Sequence, residues 1–268
     1  MDNSFSIEGG VSRNPVIRLA QPVNIKIGKQ EHIAIVGPNG AGKSLFVGML
    51  TGQYPLKEGN ITYDFSSSQS SRVSDNVKYI AFRDSYGAAD NNYYYQQRWN
   101  SQDAEATPEV CDMLGKVTES TYQKELFELF GIASMLHKKI ILLSSGELRK
   151  FQLVKALLAS PRVLIMDNPF IGLDTSTRQL LLDLLQQISQ TGNVQLILVL
   201  SMLDDIPSFI SHVIPVIQKT VYPKVNREKY LESFITSNKA NNYEKLQQKI
   251  LELPYTNIDY DSEEVVRL

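Results

Sequence analysis

Residues 32–52 read HIAIVGPNGAGKSLFVGMLTG, and the part from Gly37 to Ser44 matches the pattern G-x-x-x-x-G-K-[ST]. The apolar run before the motif has the length of a buried parallel strand. The run after it has helical periodicity and ends at Gly52, a residue type that commonly terminates helices. A strand, a glycine-rich loop and a helix in this order form the context in which the pattern binds phosphate.

The loop residues have defined tasks in the predicted phosphate site. The glycines let successive backbone N–H groups turn inward, and the start of the following helix adds partial positive charge. Lys43 would reach the β- and γ-phosphates, and the Ser44 hydroxyl would ligate Mg²⁺. We predict nucleotide contacts along the whole loop: Gly37, Pro38, Asn39, Gly40, Ala41, Gly42, Lys43 and Ser44. The alternative, a chance glycine-rich turn, leaves the flanking strand and helix unexplained.

Composition narrows the class of protein. The chain has 268 residues, of which 43% are hydrophobic and 21% charged, as expected for one large or two smaller globular domains. A net charge of -2 supplies no basic field for nucleic acid. The single cysteine, Cys111, excludes an internal disulfide and reads as structural. Without a signal peptide or an apolar run of about 20 residues, we expect a cytoplasmic chain, peripheral at most to the inner membrane face.

The hydrophobic pattern divides the chain into regions. Residues 5–36 favour strands and turns, and residues 83–143 favour a mostly helical insertion. From residue 144 strands alternate with helices, which predicts an α/β fold with a mainly parallel sheet. The elements predicted after the loop are strands at 61–65, 77–82, 163–167 and 194–200 and helices at 107–117, 121–132, 147–159 and 176–189.

Two domains are expected from this pattern. The first spans residues 1–220 and carries the insertion, and the second, 221–268, is a charged helical tail or linker. The final residues, EEVVRL, look like the first strand of a following domain that is cut short, although a frayed natural end is the alternative. The expected phosphate-binding function belongs to the first domain.

A buried strand that ends in aspartate supplies the second half of the predicted site. VLIMD at 163–167 has four apolar residues followed by Asp167. The carboxyl ends of parallel strands meet at one edge of a sheet, so Asp167 should face Ser44 and the metal. Many buried strands end in Asp, and only the preceding phosphate loop makes this pattern informative.

Three motifs follow the loop in a fixed order: LSSGE at 143–147, VLIMD at 163–167 and IGLD at 171–174. Together with GPNGAGKS and the helical insertion, this order resembles the nucleotide-binding domain of ATP-binding cassette (ABC) ATPases over roughly residues 1–220. LSSGE resembles the LSGGQ signature of that family, with Ser145 and Glu147 replacing Gly and Gln, and IGLD resembles its D-loop. The phosphate loop is shared by many families, whereas the ordered set is specific.

The resemblance implies a mechanism. Two cassettes stack head to tail, and each ATP lies between the phosphate loop of one and the signature of the other. Ser144 and the Gly146 N–H would then contact the γ-phosphate, and Asp174 of the D-loop would join the site. The implied cofactors are ATP and Mg²⁺. The implied partners are a second cassette, in the same polypeptide or as a homodimer, and a membrane permease.

A narrower resemblance is to soluble tandem-cassette proteins of the molybdate-transport and photorepair type. It rests on the run DNPFIGLD at 167–174, the cytosolic character and the tail. We therefore expect this chain to be the N-terminal half of a longer protein. No residue cluster in the sequence identifies a cargo.

Several positions depart from the family pattern. Asn168 stands where the family has a Glu that polarises the attacking water, and an amide cannot accept a proton. Ser201 or Met202 occupies the position of the switch His. The Q-loop glutamine is missing near Phe82, with Gln96 or Gln97 as substitutes and a packing surface as the alternative. No aromatic residue is present near 11–13 to stack on adenine.

These departures leave three hypotheses. The first is a cassette that binds Mg·ATP and hydrolyses it weakly or not at all in its own site. The second is a competent ATPase in which Asn168 positions water and another group takes the proton. The third is an interaction scaffold with a vestigial pocket, whose Tyr- and Gln-rich segment at 93–99 binds a protein.

Overall fold

The computed structural model describes residues 3–65, 68, 70–82, 107–114, 121–201 and 206–232. The chain divides into two compact units, residues 1–226 and residues 227–268. The described part of the second unit, residues 227–232, is helical. Every site discussed below lies in the first unit.

Between residues 144 and 200 the described helices and strands alternate, as the sequence pattern predicts. The strands are β1 (Asn3–Ser12), β2 (Val23–Gly28), β3 (Ile33–Val36), β4 (Leu56–Tyr63), β5 (Val77–Ala81), β6 (Val163–Asp167), β7 (Gln195–Leu200), β8 (His212–Ile217), β9 (Thr220–Val221) and β10 (Val225–Asn226). The α-helices are α1 (Lys43–Leu50), α2 (Val73–Asn76), α3 (Val110–Leu114), α4 (Thr121–Phe130), α5 (Ser145–Leu158) and α6 (Thr175–Gln190).

A seven-stranded sheet forms the centre of the first unit. Its strand order is β10-β8-β3-β7-β6-β5, and β9 pairs with β8. The strands from β8 to β5 run parallel, whereas β9 and β10 are antiparallel to β8. Every residue of β3, β6 and β7 is buried, which explains why these strands read as continuous apolar runs. The parallel register brings Val36, Asp167 and Leu200 to the same edge of the sheet.

A three-stranded antiparallel sheet, ordered β2-β1-β4, shares a core cluster with the phosphate-loop helix. Alternate residues of β2 are buried, as expected for a strand with one face on a core. Phe5 and Ile7 of β1 join Phe46 and Leu50 of α1 in one core cluster. Helix α1 is therefore fixed by apolar packing on both sheets, which holds the loop that precedes it.

Several elements differ from the sequence prediction: β4 has other bounds, and β8, α2, β9 and β10 are not predicted. Strand β4 begins at Leu56 rather than at residue 61, because its pairing with β1 continues across Gly59. Gly59 has a φ of 82° and lies so close to β1 that a Cβ atom would be 2.3 Å from the Gly9 carbonyl oxygen. Strand β8 is absent from the prediction, and it contains Pro215, a residue type that usually argues against an interior strand.

Candidate nucleotide-binding site

The loop between β3 and α1 has the backbone geometry of a phosphate cradle. Gly40 and Gly42 adopt φ values of 78° and 101°, in the left-handed region that favours glycine. Gly37 lies beneath the loop, where a Cβ atom would be 1.9 Å from the Val216 carbonyl oxygen. Pro38, the following residue, begins an exposed tip that runs to Gly40. The glycines at the predicted positions are thus required by backbone conformation or by close approach.

Lys43 is buried within this loop, with only 7% of its surface exposed. Its ammonium donates hydrogen bonds to the carbonyl oxygens of Gly37 at 2.6 Å and Pro38 at 3.1 Å. The loop carbonyls therefore solvate the charge in place of water. The arrangement holds a desolvated cation beside the exposed loop tip, and a phosphate can compete for the same N–H donors.

A tight turn between β8 and β9 supports the loop from below. The Lys219 N–H donates to the Ala41 carbonyl at 2.8 Å, and the Ala20 N–H donates to the Lys219 carbonyl at 2.7 Å. Gln218 and Lys219 both have positive φ, of 49° and 60°, as in a two-residue hairpin turn. Sequence reasoning missed this support because neither residue belongs to a turn motif with glycine or asparagine.

Asp167 and Ser44 meet at the carboxyl edge of the parallel sheet, as predicted. The Ser44 hydroxyl lies 3.5 Å from Asp167 Oδ2. The Tyr79 hydroxyl, on neighbouring strand β5, donates to the same oxygen at 2.8 Å. Asp167 is buried, with 6% of its surface exposed. Tyr79 was not among the predicted site residues. Its position on a strand next to β6 could have indicated that its side chain lies near Asp167.

These oxygen atoms fit a magnesium ion chemically. Mg²⁺ prefers oxygen ligands and is commonly held by one or two carboxylates together with substrate phosphates. Ser44 and Asp167 provide a hydroxyl and a carboxylate that face each other at the end of the phosphate loop. Ser44 is exposed, so the site is open on the side of the loop tip.

Asn168 follows directly and has an unusual backbone conformation. Its φ is 52°, in the left-handed region that Asn adopts more readily than most residues. Its N–H donates to the Val199 carbonyl at 2.9 Å, which ties the turn to β7. The residue is half-buried beside Asp167. The backbone position from which the Asn168 side chain extends is therefore fixed.

The LSSGE segment forms a capping box at the start of α5. The Ser144 hydroxyl accepts a hydrogen bond from the Glu147 N–H at 3.2 Å, and the Glu147 carboxylate accepts one from the Ser144 N–H at 3.0 Å. Lys138 donates to the other carboxylate oxygen at 2.7 Å. This bond from Lys138, with that from the Ser144 N–H, lowers the pKa of Glu147. The Glu at this position is thus part of the helix cap.

The predicted D-loop residue Asp174 caps the next helix. Its carboxylate accepts hydrogen bonds from the Ser176 hydroxyl at 2.6 Å, the Thr177 N–H at 2.9 Å and the Thr177 hydroxyl at 2.7 Å. These bonds hold the pKa of Asp174 well below its usual range. A Cβ atom on Gly146 would be 2.7 Å from the Thr177 methyl group. The structure therefore places the signature and the D-loop helix in contact, and a nucleotide role for Ser144, Gly146 and Asp174 stays a prediction.

Arg149 links three parts of the site. Its buried guanidinium donates to the Pro169 carbonyl at 3.0 Å and to the Ile171 carbonyl. The guanidinium also lies over the Phe82 ring, 5.1 Å from its centroid. Phe82 stands where a Q-loop glutamine was expected, and it is 3% exposed. The signature helix, the segment after Asn168 and the end of β5 are therefore joined through one side chain.

The remaining predicted positions are only partly described. Ser201 follows β7 and is half-buried, whereas Met202, Gln96, Gln97 and the segment 93–99 lie outside the described residues. Near the expected adenine position, residues 15–17 form a short 3₁₀ helix on which Val16 is 80% exposed. Among the residues that the structure describes, no helix combines the length and apolarity needed to span a bilayer.

The phosphate loop, the buried strand that ends in Asp167 and the mixed sheet define a phosphate-loop nucleotide-binding domain. The model of the family described as ABC transporter matches residues 20–171. The chain belongs to this family, and it is an ATP-binding cassette domain, which confirms the predicted fold class and family.

Two curated relatives illustrate the similarity. The ABC transporter ATP-binding protein ModF of Escherichia coli is 30% identical over 217 residues, which cover 78% of this chain and 41% of that protein. An uncharacterized ABC transporter ATP-binding protein of Schizosaccharomyces pombe is 26% identical over 86% of this chain and 48% of its own length. The chain therefore spans less than half the length of these two relatives.

Solved structures share the fold at low sequence identity. The structure of cbiO1 from Clostridium perfringens, part of the ABC transporter complex cbiONQ, has a TM-score of 0.67 at 19% identity and covers 94% of this chain and 100% of that one. An ATP-binding cassette of an ABC transporter in its ADP conformation has a TM-score of 0.66 at 15% identity, covering 89% and 97%.

Proposed function

We propose that this cassette binds Mg·ATP through residues 39–44 and Asp167, pairs with a second cassette around the nucleotide, and hydrolyses ATP slowly or not at all in its own site. The observation that carries the proposal is the meeting of Ser44 with Asp167, followed directly by Asn168 in place of an acid. The first two residues supply oxygen ligands, whereas the third supplies no base.

The chain's own residues account for binding. Lys43 would transfer its N–H donors from the Gly37 and Pro38 carbonyls to phosphate oxygens. The loop N–H groups and the start of α1 favour the same negative charge. Mg²⁺, when bound with the nucleotide, supplies positive charge that neutralises the phosphate oxygens. Ser44 and Asp167 would hold that ion, and Tyr79 would orient the carboxylate.

Slow hydrolysis follows from the chemistry of the amide. Asn168 can donate to or accept from a water molecule, but it cannot take up the proton that the water loses. A positioned general base contributes about 10²–10⁴ in rate. A water molecule bound to this amide would therefore be oriented without being activated.

Nucleotide binding is tested by titrating the full chain with labelled ATP and Mg²⁺. Saturable binding is expected for the wild type and loss of binding for Lys43→Ala. Asp167→Asn should weaken binding mainly when Mg²⁺ is present, and Lys150→Ala on α5 serves as a matched lysine control. Binding that is absent, or that is unaffected by Lys43→Ala, would instead favour the interaction scaffold.

Hydrolysis is tested by steady-state phosphate release. We expect little release from the wild type or from Asn168→Ala, and an increase of about 10²-fold or more for Asn168→Glu. Ordinary cassette turnover that Asn168→Ala abolishes would establish a competent ATPase and reject the slow site. This measurement distinguishes a slow site from a competent ATPase without knowledge of any transported cargo.

The second cassette of the proposal is a second copy of this chain or another cassette of the same polypeptide. The greater length of both relatives supports the latter arrangement. In the stacked pair Ser144, Gly146 and Asp174 would face the partner's nucleotide. Sedimentation of the full chain with and without Mg·ATP tests for a homodimer, which Ser145→Trp at an exposed position of the signature should prevent without affecting Lys43-dependent binding.

A role beside a membrane permease at the cytoplasmic face is part of the same proposal and rests on family membership. A link to molybdate transport rests on the resemblance to ModF alone. Other relatives are named for the import of phosphonates, taurine and zinc, so cargo differs widely within the family. Co-purification of a permease with the full chain is the measurement that tests this role.

A further inference from the structure

A cluster of nitrogen, oxygen and sulfur donors lies on the helical region, apart from the phosphate loop. The His137 Nδ1 atom is 3.1 Å from Glu109 Oε2, and Cys111 Sγ is 3.5 Å from the same oxygen. The three donor atoms of Glu109, Cys111 and His137 all lie within 4.8 Å of one another. No step of nucleotide binding uses these residues.

The backbone holds the two segments that carry these side chains in register. The Val110 N–H donates to the Lys138 carbonyl and the Cys111 N–H to the Leu136 carbonyl, each at 3.0 Å. Glu109 also forms an isolated antiparallel bridge with Lys139. Val110, between Glu109 and Cys111 in the chain, is fully buried. These backbone hydrogen bonds bring the three donor atoms together. Binding of a metal ion would therefore require little reorganisation of the chain.

The donor set has the chemistry of a transition-metal site. Thiolate, imidazole and carboxylate are the three ligand types that Zn²⁺ takes in proteins, at about 2.0–2.3 Å in tetrahedral geometry. Such bond lengths place neighbouring ligand atoms about 3.3–3.8 Å apart. The separations of 3.1 and 3.5 Å around Glu109 Oε2 are close to this spacing. Hard cations such as Mg²⁺ would gain little from the sulfur atom.

The electrostatic surroundings favour a cation. Asp112 places a carboxylate oxygen 4.0 Å from Cys111 Sγ, beside the carboxylate of Glu109. The two carboxylates concentrate negative charge around the sulfur atom. A bound dication would relieve this repulsion and replace the thiol proton, as metal–thiolate bonds do elsewhere.

We propose that Glu109, Cys111 and His137 form a binding site for a thiophilic divalent transition-metal ion of the zinc type. Three protein ligands leave a fourth position to water, because His137 and Glu109 are solvent-accessible. On binding, the Cys111 thiol releases its proton to solvent as the sulfur–metal bond forms, and the metal keeps its oxidation state. The proposal is independent of the proposed ATP chemistry.

The test is a titration of the full chain with Co²⁺ alone, without nucleotide, followed by displacement with Zn²⁺. Cys111 is the single cysteine of the chain, so a near-ultraviolet thiolate-to-cobalt absorption band reports on this site and on no other. We expect a saturable band with one Co²⁺ per chain, which Zn²⁺ abolishes. Cys111→Ser should eliminate the band, and His137→Ala and Glu109→Gln should each weaken Co²⁺ affinity about tenfold or more.

Matched controls are His212→Ala and Glu128→Gln, which change the same residue types away from the cluster and should leave the titration unaltered. Far-UV circular dichroism of each variant checks that the chain is folded. Absence of the band in the folded wild type at saturating Co²⁺ would overturn the proposal. A band whose affinity is unchanged in both His137→Ala and Glu109→Gln would also overturn it, because cysteine alone would then be the ligand.

Discussion

Replacing Arg149 by methionine should lower the free energy of unfolding by about 2–4 kcal/mol. Arg149 is 7% exposed, and its guanidinium donates to the carbonyl oxygens of Pro169 and Ile171. Each hydrogen bond from a charged donor contributes roughly 1.5–3 kcal/mol, and the contact with the Phe82 ring adds about 1 kcal/mol. The cost of burying the charge offsets part of this sum, since the methionine side chain needs no desolvation.

The measurement is urea unfolding of the full chain at neutral pH, followed by far-UV circular dichroism. Lys150→Met, the next position along α5, is the matched control and should change the free energy by less than about 0.5 kcal/mol. Arg149→Lys should fall between them, because an ammonium keeps the charge but not the planar fork that reaches two carbonyls. A loss below about 0.5 kcal/mol in Arg149→Met would refute the view that this side chain joins the signature helix to the segment after Asn168.

Three further measurements test other parts of the fold. Burial lowers the pKa of His32 from its ordinary 6.5. The contribution of neutral His32 to the free energy of unfolding is therefore complete above pH 6.5 and declines as the pH falls below that value. In urea unfolding between pH 7.5 and 5.5, His32→Gln should lose this pH dependence. Gly37→Ala should cost about 3 kcal/mol or more, because its Cβ atom would meet the Val216 carbonyl, whereas Gly40→Ala meets no neighbour and should cost only the left-handed backbone penalty of about 1–2 kcal/mol. Ser144→Ala should cost about 1 kcal/mol through loss of the helix cap, and Ser145→Ala should be close to neutral.

Each of these has a contradicting outcome. Equal pH dependence in the wild type and in His32→Gln would assign the titration to another group. Equal stability of the two glycine variants would mean that the contact beneath the loop yields easily. If Ser145→Ala proved as destabilising as Ser144→Ala, the capping box would not explain the start of α5.

The hydrogen bond that His32 accepts from the Leu196 N–H adds to burial in lowering its pKa, whereas its bond to the Ser189 carbonyl acts in the opposite direction. Its Nδ1 atom accepts from the Leu196 N–H at 3.0 Å, and Nε2 lies 3.3 Å from the Ser189 carbonyl. Only the neutral tautomer with hydrogen on Nε2 satisfies both contacts. Protonation of Nδ1 would place two donors against each other, in agreement with the direction predicted above.

Local patterns predicted those parts of the fold that are encoded in one stretch of chain. The strand before Gly37, the helix after it and the strand ending in Asp167 each have a clear periodicity, and each was predicted close to its observed bounds. The meeting of Ser44 and Asp167 followed from a general rule about parallel sheets. That rule requires no knowledge of side-chain packing.

Contacts between distant segments were not predictable in the same way. The place of Tyr79 beside Asp167 depends on which strand neighbours β6. The role of Arg149 depends on burial against two separate segments, and an Arg in an amphipathic helix otherwise reads as a surface residue. Strand β8 was obscured by Pro215, whose carbonyl still accepts a bond from the Tyr222 N–H. In each case the partner lies far along the chain, and periodicity carries no information about it.

The turn at Lys219 beneath the phosphate loop has a consequence for biosynthesis. The loop is translated early, whereas the residue whose N–H supports Ala41 is translated near the end of the first unit. The parallel neighbours of β3, namely β7 and β8, also come late. A ribosome-bound chain that stops before residue 219 therefore lacks the hydrogen bond that supports Ala41 of the phosphate loop. The proposed ATP ligand would therefore stabilise the fold only after nearly the whole first unit has emerged from the ribosome.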